Sequence, residues 1–451
     1  MNITNLVPDV NGLVSWPTLS VNRKSVVTVG SFDGMHQGHR AVIGRTVELA
    51  KRNNAFSVVI LFDPRPSVVH RYAKTHQGQQ PPQDIVDPEQ LMGMGQRLRV
   101  MDELGVDHVL LVQYTLAFAA KSFRFFLGQL VGKLGMRTLV LGQDAHMGAG
   151  RTGDVQAIEN LALATGVFEL EVVDDRGPGY TRIPQDATYT VPQEPGEPND
   201  PTAGMTKAQL RAWSKKHQAK QARVWSSSNV RYLLSQGRIK DANAILGAPH
   251  GIEGTVVHGE QRGRDIGFPT ANLGAPIDGY LPVDGVYAGW LVDLGEPKSD
   301  GAESAAAPAD DTTQADTVHD APAAPGTTAN DAAPVASIPQ PLDLAPVRSR
   351  LAAHSPYRWP AAISIGTKPT FEAETGEPER VIEAYAVTDD WLDLYGHRVR
   401  VEFTGFLRPQ IKFDSVDELK AELAVNARQA ADAAADNAHA VHAANGTQNA
   451  R

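Results

Sequence analysis

From Val26 to about Val173 the chain alternates short continuous apolar runs with longer stretches whose apolar residues recur at helical spacing. SVVTVG (25–30), FSVVILF (56–62), HVLLVQY (108–114) and RTLVLG (137–142) are too short and too uniformly apolar for surface helices, so they predict strands buried on both faces. His39–Lys51, LMGMGQRLRVMDELG (91–105) and SFRFFLGQLVGKLG (122–135) carry the helical period between them. This order predicts a parallel sheet covered by helices. HRYAKTHQGQQPPQDIVDPEQ (70–90) interrupts it and reads as one long polar loop.

The pattern then changes twice. Residues 176–206 are rich in proline, glycine and acids and read as mostly irregular, followed by a polar, basic helix around Lys207–Gln221. SSSNVRYLLSQGRIKDANAILG (226–247) offers a serine cap and two short helical runs. After Gly247 the apolar runs shorten and alternate: GIEGTVVHG, GVYAGWLVDL, RWPAAISIG, VIEAYAVTD and HRVRVEFTGFL are separated by glycine and proline rather than by helices. They predict a small antiparallel barrel or sandwich, closed by a helix at Asp414–Asn426. Ser299–Pro341 contains no aromatic residue, lysine or arginine and is built largely of alanine, proline, aspartate and threonine. Such a segment cannot offset its ordering entropy, so it reads as a disordered insertion emerging from a barrel loop between 291 and 359. The alanine-rich tail after Arg428 is compatible with an extended helix or with a frayed end.

Composition narrows the class. A chain of 451 residues, 42% hydrophobic and 21% charged, suits two or three globular domains. It has no cysteine, which excludes a disulfide framework, thiol catalysis and cysteine-type zinc sites, and suits a reducing cytoplasm. MNITNLVPDVNG has neither a basic nor an apolar leader region, and no run of apolar residues is long enough to predict a membrane span. The net charge of −10 argues against a general nucleic-acid partner; the pairs Arg23-Lys24 and Lys215-Lys216 read as solvated surface.

Two stretches carry chemistry. GSFDGMHQGH (30–39) puts Gly30 and Gly34 between a strand and a helix, where backbone can approach a phosphate and free helix amides can meet it. His36 and His39 are three apart and can face one way as donors; a glycine-rich turn with two surface histidines is the plain alternative. In GTVVHGEQRGRDIGFPTANL (254–273), Gly259, Gly263 and Gly267 permit a tight covering loop, and Thr270 and Asn272 alternate so that both oxygens share one face of an extended segment. A plain β-turn with polar ends would leave the same residues.

GSFDGMHQGH resembles the nucleotide-binding signature of nucleotidylyltransferases, and the wider chain resembles the bacterial bifunctional riboflavin kinase/FMN adenylyltransferase family. LFDPRP (61–66), LGQDAHMGAGRTGD (141–154) and SSSNVR (226–231) match segments of its adenylyltransferase module; the 254–273 stretch matches its kinase signature. SIGTKPTF (364–371) and LYG (394–396) resemble the same kinase module. The resemblance implies a Rossmann-like α/β nucleotidylyltransferase domain over 15–247, including the irregular 176–221 region, and a six-stranded antiparallel riboflavin kinase barrel over 248–428, with 429–451 as a tail. It implies that ATP and Mg²⁺ convert riboflavin to FMN, and that AMP transfer from ATP then gives FAD. His36 and His39 would meet the ATP phosphates, lined by Gly30, Phe32, Asp33, Gly34 and Gly38. Ser226, Ser227, Ser228 and Arg231 would hold the leaving pyrophosphate, and Pro64 and Asp144 the flavin. Asp33 could equally be structural. In the kinase, Thr270 and Asn272 would bind metal and phosphate under the glycine loop, Glu383 would act as general base, and Arg408 and Phe413 would face the flavin. Small-molecule substrates are thus the implied partners, with neither nucleic acid nor membrane and with the oligomeric state open.

This chain departs from the family pattern at Ala145-His146-Met147, where an aromatic-basic-aromatic run is usual. It departs again at Ser228 and Asn229, which stand where threonine and arginine are common. A kinase with a weak or silent first domain, and a flavin or nucleotide sensor, are therefore the competing readings.

Overall fold

A computed structural model describes residues 1–82, 84–185, 189–259, 267–297, 340–341, 344–372 and 378–448. The N-terminal strands are β1 (Asn2–Leu6), β2 (Ser25–Gly30), β3 (Phe56–Asp63), β4 (His108–Gln113), β5 (Met136–Gly142) and β8 (Glu169–Val173). Their helices are α1 (Gln37–Arg52), α2 (Pro66–Thr75), α3 (Met94–Glu103), α4 (Leu116–Ala119), α5 (Phe123–Lys133) and α6 (Val155–Thr165), with the two-residue strands β6 (His146–Met147) and β7 (Gly153–Asp154) before α6. The strands pair in the order β1-β4-β3-β2-β5-β8, all parallel, as the apolar runs predict. From β2 the chain steps to β3 and β4 on one side and returns to β5 on the other. The C-terminal end of β2 is therefore a topological switch point, where open α/β sheets bind ligands. Gly30–His39 begins there.

Two features depart from the sequence reading. Asn2–Leu6 joins the sheet beside β4, ahead of the expected start at residue 15; its alternating polar residues gave no strand signal, although Thr4 is buried. The expected loop 70–90 begins inside α2, which starts with Pro66 in its first turn and buries Val68 and Val69. Proline is tolerated there because the first amides of a helix have no intrahelical partner.

The connecting region holds a ribbon of β9 (Tyr180–Ile183) and β10 (Lys220–Arg223), then α7 (Lys207–Lys216) with a Thr206–Gln209 capping box, and α8 (Ser227–Ser235) and α9 (Ile239–Leu246). The second half is a closed barrel of β11 (His250–Val257), β12 (Ala271–Asp278), β13 (Gly285–Gly295), β15 (Arg358–Glu372), β16 (Pro378–Ala386) and β17 (Arg398–Arg408), in the order β11-β12-β16-β15-β13-β17. Ile252, Leu273, Ile363, Ile382, Val401 and Phe403 alternate inward to fill it. Leu233, Leu234, Ile239 and Leu246 of α8 and α9 are buried in the same cluster, so these helices belong physically to the barrel.

Most of the predicted insertion lies outside the described residues. It falls between β13 and β15, which are antiparallel neighbours, and its last two residues, β14 (Gln340–Pro341), pair with Asn2 and Ile3 of β1. A short helix α10 (Ala345–Leu351) leads back to the barrel. The closing helix α11 runs from Val416 to Gln448, longer than predicted and continuous with the alanine-rich tail. Ala430 seats it against Ala288 and Ala362, a contact that needs small side chains on both sides.

Candidate active sites

The first cluster is built by the turn from β2 into α1. His36 is the N-cap of α1, and its Nδ1 accepts the backbone N–H of His39 at 3.4 Å. In the neutral imidazole this leaves the proton on Nε2. The His36 and His39 rings stack with centroids 3.6 Å apart, and the Phe32 ring meets His39 edge-on at 5.3 Å. Phe32 and Met35 hold left-handed backbone (φ 44° and 45°) while buried, local strain of the sort found where a loop is shaped for function. Gly38 is required by close approach: a Cβ there would lie 2.5 Å from the Asp175 carbonyl oxygen. No acidic side chain occupies the first turn of α1, so the positive end of its dipole is not offset by a carboxylate on the helix itself.

Around the pair the charges come from arginines that the sequence gave no reason to single out. Arg223, at the end of β10, bridges Asp144 (2.8 Å) and Asp175 (2.6 Å) and so ties the predicted flavin motif to the segment that follows β8. Burial, then the Arg223 cation, push His36 down to about 3. Burial, followed by His36, Arg223 and Arg97, holds His39 well below the ordinary imidazole value. Both rings are therefore neutral donors at neutral pH in the free protein.

Asp33 sits at the hub of a clamp. Its carboxylate accepts the amides of Leu91 (2.9 Å) and Met92 (3.3 Å) and the guanidinium of Arg65 (3.0 Å), and it also pairs with Arg231. Its carbonyl accepts the Ser227 hydroxyl at 2.8 Å. The side-chain contacts make Asp33 a tether for the loops around the nucleotide turn. Arg231 also donates to the Glu89 carbonyl (2.6 Å). Ser226 caps α8 by accepting the Asn229 amide, Ser228 is exposed, and Asn229 spends its side-chain amide on the Val224 carbonyl. The substitution at 229 thus serves the turn rather than the cluster. Pro64 follows β3, next to the aromatic group Phe62, Tyr114 and Phe118, whose centroids lie 5.3–5.9 Å apart. Ala145 and Met147 pack into the apolar cluster that also contains Phe62 and Phe118.

The buried histidines have a pH consequence. A ring that is neutral in the fold and ordinary in the unfolded chain makes the unfolded state bind more protons between the two values, so stability falls as pH drops. His36 (about 3) and His250 (about 4, lowered by burial) act in the same window, from the unfolded value of 6.5 downward. Thermal unfolding is expected to shift to lower temperature on acidification from pH 6.5 toward 4, with a shallower slope in His250→Asn.

The second cluster forms where β12, β16 and β15 run side by side. Asn272 is the register partner of Glu383, which is in turn the partner of Ser364. Their neighbours Leu273, Ile382 and Ile365 point into the barrel, so Asn272, Glu383 and Ser364 share its outer face. Asn272 donates to the Thr270 carbonyl (3.3 Å) and hydroxyl (3.4 Å), which fixes the two predicted oxygen donors together. Gly259 closes over them: a Cβ there would lie 2.6 Å from the Asn272 side chain. Gln410 donates to the Ser364 hydroxyl at 2.9 Å on the same face. Phe268 packs on Tyr385, at 5.1 Å between centroids. Gly267 is exposed, and Gly263 lies outside the described residues. Arg408 is largely buried; it pairs with Glu422 (2.8 Å) and Asn426 of α11 and lies 5.8 Å from the Phe413 ring, so it fastens the closing helix.

Comparison with known proteins finds a family model for each half of the chain. The family model described as FAD synthetase matches residues 18–187, and the one described as riboflavin kinase matches residues 246–434. This chain belongs to the bifunctional riboflavin kinase/FMN adenylyltransferase family. A relative of that name from Escherichia coli K12 is 27% identical over 401 residues, covering 88% of this chain and 89% of its own. One from Listeria monocytogenes is 29% identical over 263 residues, covering 58% of this chain and 66% of its own. A crystal structure titled as a macrolide-efflux protein from Streptococcus pneumoniae is 21% identical, with a TM-score of 0.58 over 94% of this chain and 97% of that one. That likeness shows the fold alone. Among the described residues no helix is long and apolar enough to cross a membrane. The chain is an ATP-using enzyme with riboflavin kinase and FMN adenylyltransferase activities, and its substrates are small molecules.

Proposed function

We propose that the two clusters perform the two successive steps and divide the work as follows. In the barrel, Glu383 accepts the proton of the riboflavin 5′-hydroxyl as its oxygen bonds to the γ-phosphorus of ATP and ADP leaves. Asn272 and Thr270 supply hard oxygens, and Gly259 gives the covering loop room to press on them. This donor set fits Mg²⁺ carried largely by nucleotide phosphates: among the described residues no group of three or more His, Asp or Glu side chains could hold a metal. Mg²⁺ bound there would neutralise charge on the transferring phosphoryl group.

In the first module an FMN phosphate oxygen bonds to the α-phosphorus of ATP while the bond to the bridging oxygen of the β-phosphate breaks, releasing pyrophosphate. The nucleophile is already an anion, so positioning and charge stabilisation outweigh proton abstraction. His36, with its proton on Nε2, and His39 donate to the phosphates, His39 at the α-phosphate. Ser226, Ser227, Ser228 and Arg231 hold the β/γ portion. Arg223 adds a cation whose charge acts on both histidines, and Pro64 and Asp144 mark the flavin side. The cysteine-free chain and its ATP chemistry support a cytoplasmic setting.

The observation that carries this reading is the stacked His36–His39 pair at an anion-ready helix start. Incubation with riboflavin, ATP and Mg²⁺ is expected to yield FMN first and then FAD, separated by chromatography. Product stopping at FMN would assign the first module a silent role, and absence of both products would leave a binding protein.

A further inference from the structure

The barrel reaches the histidine loop along two routes, and neither belongs to the phosphate-handling clusters. The first passes through α3. Arg97 is fully buried and donates from Nη1 to the Ser31 carbonyl at 3.0 Å, directly behind the loop that leads to His36. Its neighbours on the same helix point to the barrel. Gln96 donates to the Asp278 carbonyl (3.2 Å) and accepts from Arg400 (3.1 Å), while Arg99 pairs with Glu253. Glu253 is itself buried on β11 and is held by Arg400 (3.3 Å) and Arg398 (3.5 Å). Arg400 continues to Glu402 (2.8 Å), and Glu402 to Arg358 (2.7 Å).

The second route starts inside the loop. Gln37, between the two histidines, donates to the Ala244 carbonyl of α9 at 2.6 Å. The adjacent Asn243 donates to the Phe403 carbonyl of β17 (2.8 Å) and accepts the His250 amide of β11 (2.7 Å). Both routes thus end on the same two barrel strands.

We propose that β11 and β17 of the kinase barrel brace the His36–His39 loop through Arg97 and Gln37, so that the kinase domain is a positioning element of adenylyl transfer. The inference rests on the assignment of that loop to adenylyl transfer. Its physical basis is that a rigid support matters most where rate depends on placing phosphates: displacement by about 1 Å can cost on the order of 100-fold. Buried ion pairs with fixed partners are poor sources of stability, and in some proteins they serve to specify one arrangement of the groups they join, the role assigned to them here.

Arg99→Met in the full-length chain removes the charged link of the first route, leaving the Gln96 contacts in place, and does not orphan Glu253, which keeps Arg400 and Arg398. The expected result is a fall of about tenfold in kcat for FAD formation from FMN. The KM for ATP and riboflavin phosphorylation should both stay within about twofold. Amide hydrogen exchange should quicken across Ser31–His39, and Arg99→Lys should restore most of the loss. Asn243→Ala tests the second route and is expected to show the same selectivity if Arg99→Met does not unfold cooperatively. Equal loss of both activities, or unchanged exchange with unchanged FAD formation, overturns the brace. If the wild-type chain made no FAD, the adenylyltransferase assignment would fail instead, and exchange across Ser31–His39 would still decide whether the barrel holds that loop.

Discussion

His39→Ala is expected to lower kcat for FAD formation by roughly 10²–10³-fold, the usual cost of removing one preorganised donor to developing negative charge. Riboflavin phosphorylation should be unchanged, because His39 is not among the residues grouped with Thr270, Asn272 and Glu383 on the barrel. The loss should appear in kcat more than in the KM for ATP, since Arg223, Arg231 and the amides of α1 remain to bind the ground-state phosphates. His39→Asn should recover part of the rate, because an amide nitrogen can donate without the ring. The ring also stacks on His36, so part of the cost of the alanine variant will be disorder in its partner. Stopped assays with FMN and ATP measure one step and assays with riboflavin and ATP the other. If both steps fell together in a variant that still unfolds cooperatively, separate sites would be the wrong description.

The separation of the two sites could be read from the chain because each signature is local. GSFDGMHQGH places both histidines within one turn of a helix start, and the apolar run before it declares the buried strand that carries it. PTAN likewise sets Thr270 and Asn272 on one face by alternation alone. What joins them to other elements was less visible. Glu383 reaches Asn272 only through the β12–β16 register, which no local pattern encodes; family resemblance supplied it. Arg223 lies in KQAR and Arg97 in QRLRV, contexts that predict solvated charge, yet Arg97 is buried and Arg223 bridges Asp144 and Asp175. An arginine's partner is a tertiary property: its long side chain can reach any acid or carbonyl that folding brings near. Asp33 illustrates the converse. Its position beside a glycine turn suited either a ligand or a tether, and only the fold shows that its carboxylate holds Arg65, Arg231 and the amides of Leu91 and Met92.

The same register argument makes Glu383 the most informative position in the barrel. Glu383→Gln keeps the side chain's size and its place opposite Asn272 while removing its capacity to take a proton. FMN formation is expected to fall by about 10²–10⁴-fold, the range for losing a positioned general base. FAD formation from supplied FMN should persist, so added FMN would bypass the block. A fall in kcat with an unchanged KM for riboflavin identifies proton transfer at the hydroxyl. A raised KM with kcat intact would instead make Glu383 a uniform binding contact and move the base elsewhere on the outer face. Thr270→Ala separates the alternatives further. Asn272 holds its amide against the Thr270 hydroxyl, so this variant loosens the oxygen donors without touching the base. It should weaken apparent affinity for ATP and Mg²⁺ as well as lowering kcat. The two variants therefore fail differently if the carboxylate acts on the alcohol and the hydroxyl–amide pair acts on the nucleotide.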